Sequence, residues 1–266
     1  MNIKGVILAA GVGARLAPIT PFVPKEMLPI CGFPAIHHAL VELYDSGLRE
    51  VMIVVSSGKS SLVSYLTDPV LPKGADATRL LAERDKLLSE MHVVFVEQKQ
   101  LNGTAGAILL AEDFMGDDPL IVLYPDDILT VVGKCADGIV ATSDLVRTYR
   151  RTGLSTVLTT EIPGKVAHDY GVLTLVSRDE VFFVTQIVEK PQNYMGDRAN
   201  ILIGRMLLTP KTVRSIRSFE LTDESGIIPI LSDEASREAL AAVRYRGRRY
   251  DIGSQKGYAA TLRALI

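Results

Sequence analysis

Residues Gly5-Val-Ile-Leu-Ala-Ala-Gly11-Val-Gly-Ala-Arg15 decide the architecture of this chain. An uncharged apolar run, Val6 to Ala10, breaks directly into a glycine-rich turn that ends on a cation. Short apolar runs bounded by Gly, Pro or charge fit strands buried on both faces. Three more follow: Glu50 to Ser56, Val93 to Val96 and Leu120 to Leu123. Helical patterns lie between them. Pro34 to Ser46 carries Ile36, Ala39, Leu40 and Leu43 on one face and stops at Gly47, a residue suited to the left-handed position after a helix. Asp76 to Glu90 sets Leu80, Leu81, Leu87 and Leu88 against charges, and Thr104 to Glu112 is a third, shorter helix. Strand–helix alternation predicts an α/β fold: one doubly wound, mostly parallel (mixed), Rossmann-like sheet flanked by helices, with ligands at the carboxyl ends of the strands.

From Gly171 the texture changes. Val172 to Val176, Val181 to Glu189 and Ile201 to Leu208 read as strands with short connections, so an antiparallel or mixed part follows the wound half. A last helix is expected from Ser254 onward, after Gly253. With 266 residues and no repeat or linker, a single domain is expected over 1–266.

Composition excludes several classes. The charge is −2, from 29 Lys and Arg against 31 Asp and Glu, so the chain lacks the basic footprint of a nucleic-acid polymer binder. The longest uncharged stretch, Met27 to Val41, is interrupted by Pro29 and Pro34, and neither a membrane span nor a signal pattern is expected. Cys31 and Cys135 cannot form a disulfide framework and lack metal-ligand spacing, which points to a reducing, cytoplasmic setting. His37 and His38 are adjacent, so one is expected to face the core and the other water rather than both a metal. His92 and His168 are isolated, and neither cysteine has an activating context.

The glycine turn itself fits an anion, because glycines let backbone N–H groups approach phosphate oxygens and Arg15 adds a charged fork. A dinucleotide fingerprint needs a third glycine where Leu16 stands, and an acidic residue after the second strand, which instead runs into Ser56 and Ser57. A Walker loop needs a following Gly-Lys-Ser/Thr, also missing here. An ordinary glycine turn remains the alternative. What argues against it is a second cation, Lys25, on a segment braced by Pro24 and Pro29.

The block Gly5 to Pro34 resembles the N-terminal signature of the sugar-1-phosphate nucleotidyltransferases. Within that family, the Pro24-Lys-Glu-Met-Leu-Pro29 run is most similar to the members that use UTP, whereas thymidylyl-transferring members usually carry Gln where Glu26 stands. Gln98 and Asn102-Gly-Thr-Ala-Gly-Ala107 resemble the segment that reads a pyrimidine, which an amide suits through its paired donor and acceptor. Tyr124-Pro-Asp-Asp127 resembles the metal segment, with Asp126 as the Mg²⁺ residue; Tyr250-Asp-Ile-Gly253 resembles a second, through Asp251. Asp169-Tyr-Gly171 and Val188-Glu-Lys-Pro191 resemble the sugar segments, with Gly171 against the sugar, Glu189 on its hydroxyls and Lys190 on its phosphate.

The resemblance implies Arg15, Lys25 and Lys190 as the catalytic cations and Ala9, Ala10, Gly11, Gly13, Gln98 and Gly103 as nucleotide contacts. It also implies a nucleotide half over about 1–130 and a sugar half over about 131–266. The implied reaction joins UTP and glucose 1-phosphate to give UDP-glucose and pyrophosphate, with Mg²⁺. A thymidylyl transfer to the same sugar phosphate and a non-catalytic nucleotide-sugar binder are the alternatives. Three features depart from the family: the Thr222 to Pro229 run, an interval from Asn200 to Gly204 one residue short, and an end at Ile266 without the usual tail. The last leaves subunit assembly, a homo-oligomer included, open.

Overall fold

In the computed structural model the first apolar run forms the strand Lys4–Leu8, with Val6 and Ile7 fully buried. Residues 2–68, 75–130, 139–223 and 225–265 are described. The chain divides into two compact units. One, the glycine-loop unit, comprises Ile3–Leu101, Leu123–Ile139 and Gly247–Ile266; the other comprises Met1–Asn2, Asn102–Val122 and Val140–Arg246.

In the glycine-loop unit, Lys4–Leu8 lies beside Glu50–Val55, which lies beside His92–Glu97, all parallel, in the registers Leu8↔Val54 and Val55↔Glu97. Parallel pairing needs crossovers, and the helices Ala35–Asp45, Ser60–Thr67 and Ala75–Glu90 fall in those intervals. A second small core joins Leu16, Leu28, Ile30, Ala35, Ile128 and Ile252. It backs a short antiparallel pair, Asp127–Thr130 with Arg248–Asp251, in which Asp251 lies opposite Asp127. The last helix, Gln255–Leu265, follows directly.

The other unit carries a mixed sheet in the order Leu120–Leu123, Arg198–Leu208, Ser155–Pro163, Leu240–Arg244, Val181–Glu189, Gly171–Arg178. Leu240–Arg244 runs parallel to Ser155–Pro163, while the hairpin Gly171–Arg178/Val181–Glu189 is antiparallel and pairs Gly171 with Glu189. The α/β class with a mixed sheet and flanking helices is therefore as expected. Among the described residues, no helix is long and apolar enough to cross a membrane.

Two expectations are corrected. Cys31 is disulfide-bonded, so the argument from reduced cysteines loses its premise; Cys135 lies outside the described residues. His37 and His38 are both buried, at 2% and 8% exposure. The helix Ala35–Asp45 is enclosed on more than one face, so adjacent positions both point inward. His37 Nδ1 lies 2.9 Å from the Tyr65 hydroxyl with its ring stacked on Phe33, and His38 Nε2 donates to the Ile30 carbonyl at 2.8 Å.

This burial predicts acid sensitivity. Burial, reinforced by the neighbouring His38, pushes His37 down from 6.5 to about 4. The unfolded chain takes up its proton near pH 6.5 and the folded chain only near 4, so stability present above 6.5 is lost as the pH falls between the two values. His37 alone should cost about 2 kcal/mol at pH 5 relative to pH 8. Urea unfolding of the wild type and of His37→Gln across this range checks it: the variant should show the shallower pH dependence.

Candidate active site

The turn after the first strand is held from beneath by the segment after the second strand, Glu50–Val55. Ala9 stays on the sheet through its N–H to the Val54 carbonyl at 2.8 Å. The Ala10 carbonyl accepts from Ser56 Oγ at 2.8 Å and the Gly11 carbonyl from Lys59 Nζ at 2.7 Å. Gly13 is left-handed (φ 70°, ψ 37°), and its carbonyl accepts from Leu16 N and Thr20 Oγ1. A side chain there would carry backbone strain and meet Thr20 at 2.8 Å. The turn thus delivers Arg15, whose side chain is 67% exposed.

Lys25 opens a single helical turn, Lys25–Met27, behind Pro24. Its ammonium donates to Asp126 Oδ2 at 2.7 Å, with both side chains more than four-fifths buried. Burial opposes the charge on Lys25, but Asp126 and then Glu26 outweigh it and raise the ammonium above its ordinary value. Burial likewise opposes ionisation of Asp126, and the Lys25 charge and hydrogen bond overcome it to hold the carboxyl low. Both groups are therefore charged at neutral pH.

Asp251 reaches the same place from the far end of the chain. Its Oδ1 accepts from Gly253 N at 2.8 Å, and its Oδ2 lies 4.0 Å from Arg15 Nη1 and 3.4 Å from Arg249 Nη2. Gly253 explains the crowding. A Cβ there would sit 2.8 Å from Arg15 Nη2, 2.9 Å from Asp126 Oδ2 and 3.0 Å from Asp251 Oδ1. Two carboxylates from separate segments thus converge on one glycine, a hard-oxygen donor pair that suits Mg²⁺ when phosphates and waters complete its shell. Among the described residues no group of three or more His, Cys, Asp or Glu has metal-binding geometry.

Arg15, Lys25, Asp126 and Asp251 are thus brought together in the glycine-loop unit, which also carries Ala9, Ala10, Gly11, Gly13 and the buried Gln98, whose N–H donates to the Val55 carbonyl at 2.8 Å. Gly103, Gly171, Glu189 and Lys190 belong to the other unit. There a Cβ on Gly171 would lie 3.0 Å from Glu189 Oε2. Lys190 adopts φ 45°, an uncommon conformation for a non-glycine residue, with its N–H on the Tyr170 carbonyl at 3.0 Å and its ammonium 3.6 Å from Glu189 Oε1. Such a backbone costs about 1–3 kcal/mol and persists where neighbours impose it. Gly103, at φ 77°, needs its missing side chain for a local reason: the Ser225 carbonyl oxygen lies 2.1 Å from where a Cβ would be.

Sequence reasoning missed three participants. Lys59 belongs to no motif in the sequence, yet it is 5% exposed and paired with the fully buried Glu26 at 2.7 Å. Asp127 and Arg249 form a buried 2.6 Å pair beside Asp251. The only local signal was the position of Asp127 next to Asp126.

A glycine turn behind a parallel strand, with two cations and two carboxylates converging beside it, is the arrangement of a phosphate-handling transferase. The chain belongs to the nucleotidyl transferase family, whose sequence profile matches residues 4–263. A relative from Pseudomonas aeruginosa, a UTP–glucose-1-phosphate uridylyltransferase, is 31% identical over 96% of this chain and 92% of its own length. One from Bacillus subtilis, a putative UTP–glucose-1-phosphate uridylyltransferase, is 30% identical over 96% and 93%. The crystal structure of a UDP-glucose pyrophosphorylase complexed with UDP-glucose superposes with a TM-score of 0.85 at 28% identity, covering 99% of this chain and 98% of that one.

Gly253 gives the sharpest test of this convergence. In Gly253→Ala the new methyl must displace Arg15, Asp126 and Asp251 together. Overpacking should cost about 1–3 kcal/mol of stability, and displacement of charged groups by about 1 Å should lower nucleotidyl transfer about 10²-fold. Thermal melts beside pyrophosphate-release assays check it: a folded variant with full activity would show that these groups do not act as one.

Proposed function

We propose that this chain transfers a uridylyl group from UTP to glucose 1-phosphate, giving UDP-glucose and pyrophosphate. The observation that carries this reading is the meeting of Arg15, Asp126 and Asp251 at Gly253, with Lys25 on Asp126, beside the glycine turn. The choice of uracil and glucose rests on similarity over 96% of the chain to UTP–glucose-1-phosphate uridylyltransferase. On this reading residues of about 1–130 serve chiefly the nucleotide and residues of about 131–266 chiefly the sugar phosphate, except that Asp251 serves the nucleotide side. Both substrates are small molecules, and the proposed setting is the cytoplasm.

A sugar-phosphate oxygen attacks the α-phosphorus in line, an O–P bond forms, and the α–β bridging bond breaks to release pyrophosphate. The nucleophile is already an anion, so the protein contributes positioning and charge neutralisation. Arg15 and Lys25 hold the triphosphate and stabilise the leaving pyrophosphate. Lys190 binds the sugar phosphate, Glu189 accepts from sugar hydroxyls and Gly171 leaves room for the ring. Gln98 and Gly103 meet the base, and Ala9, Ala10, Gly11 and Gly13 line the nucleotide. Asp126 and Asp251 would hold Mg²⁺, which supplies neutralisation of phosphate charge when bound.

Pyrophosphate release measured for UTP, dTTP, CTP, GTP and ATP against several sugar 1-phosphates tests the substrates. UTP with glucose 1-phosphate should be fastest, and equal turnover of GTP or ATP would overturn the base assignment. The two lysines should fail differently: Lys25→Ala raises chiefly the KM for UTP and Lys190→Ala chiefly that for the sugar phosphate. Each should also lose about 3–4 kcal/mol of transition-state stabilisation, by analogy with removal of an oxyanion donor. Unchanged parameters for Lys190→Ala would remove it from the sugar-phosphate site. Lys190→Arg should not fully restore activity, because a planar fork approaches phosphate differently from a compact ammonium.

A further inference from the structure

Lys59 belongs to none of the motifs above, yet it touches two of them. Its ammonium donates at 2.7 Å to the Gly11 carbonyl and at 2.7 Å to Glu26 Oε2. Lys59 is 5% exposed and Glu26 fully buried, and Glu26 Oε1 has no hydrogen-bond partner among the described residues. A buried ion pair with an unsatisfied oxygen is a poor source of stability, since apolar residues of equal volume often do as well or better. Its geometric effect is more specific. A trans peptide points its C=O and the following N–H in opposite directions. Ser56 holds the Ala10 carbonyl and Lys59 the Gly11 carbonyl, so the Gly11 N–H points away from Ser56 and the Val12 N–H away from Lys59. Among the described residues, the N–H groups of Gly11, Val12 and Gly13 meet no protein acceptor.

We propose that Lys59 is a positioning residue for the triphosphate: anchored on Glu26, it locks the Gly11–Val12 peptide so that the loop amides face the phosphates. Through the same contact it ties the glycine loop to the turn that carries Lys25, because Glu26 is the next residue of that turn. The inference rests on reading this loop as the nucleotide site.

The test separates positioning from packing. Lys59→Met alone strands a buried carboxylate and should lower the melting temperature. The double variant Lys59→Met/Glu26→Met removes both charges at near-constant volume and should recover the melting temperature. If Lys59 positions the loop, the double variant still shows a KM for UTP raised about tenfold or more, as for one lost hydrogen bond to a charged group. Its KM for glucose 1-phosphate should stay near the wild-type value. It should bind inorganic tripolyphosphate more weakly by a similar factor, and its crystal structure should show the Gly11–Val12 peptide reoriented. A folded double variant with wild-type KM for UTP and wild-type tripolyphosphate binding would overturn the proposal and leave the uridylyl-transfer reading standing. A wild type that binds tripolyphosphate through Lys59 without turning over UTP would overturn that reading and leave the proposal standing. A wild type that binds neither would overturn both.

Discussion

The bond between Lys25 and Asp126, at 2.7 Å and 101 residues apart in sequence, is the constraint on which the glycine-loop unit depends. Burial works against the charge on each partner, and each keeps the other ionised. Neither can be removed without leaving a largely buried charge unpaired, a more severe change than loss of the pair as a whole. The same contact fixes the turn after Pro24 against the segment after Leu123, where the Asp126 carbonyl accepts from Ile252 N at 2.9 Å. The position of Asp251 follows from that backbone bond.

Each unit uses a glycine to let carboxylates come close. Gly253 admits Asp126 and Asp251, and Gly171 admits Glu189, which sits opposite it in the hairpin register. The cations are distributed in the same way. Lys25 is held by a carboxylate at hydrogen-bond distance, whereas Lys190 stays 62% exposed on a backbone fixed by the Tyr170 carbonyl. One cation is preorganised by its partner and the other by its main chain. On the proposed reading, both arrangements would lower the ordering cost of meeting a phosphate.

What was legible in the sequence was whatever had a period or a punctuation mark. Val6 to Ala10 ends at a glycine, and the strand Lys4–Leu8 lies there. The apolar stripe through Ile36, Leu40 and Leu43 is the helix Ala35–Asp45. The helix Ser60–Thr67 went unread because four of its eight residues are Ser or Thr, types that compete with the helix for backbone hydrogen bonds. The strands Ser155–Pro163 and Leu240–Arg244 lie apart in sequence and pair in parallel, which no local pattern announces. At the site, residues within a motif were visible and those supporting it were not. Lys59 and Arg249 gain their meaning from carboxylates 33 and 122 positions away, read from their residue numbers, and a lone cation in a loop reads as solvated.

The path of the chain has a consequence for how the protein is made. The glycine-loop unit takes its pieces from Ile3–Leu101, Leu123–Ile139 and Gly247–Ile266. During synthesis on the ribosome, its parallel strands can therefore pair long before its last segment exists. Until that segment emerges, Asp127–Thr130 lacks its partner strand and the small core lacks Ile252. Contacts of such long sequence separation make folding slow and leave partly built surfaces exposed meanwhile. Asp251 arrives with that segment, so a nascent chain holds the glycine turn early but gains its second carboxylate only after more than a hundred further residues have been added.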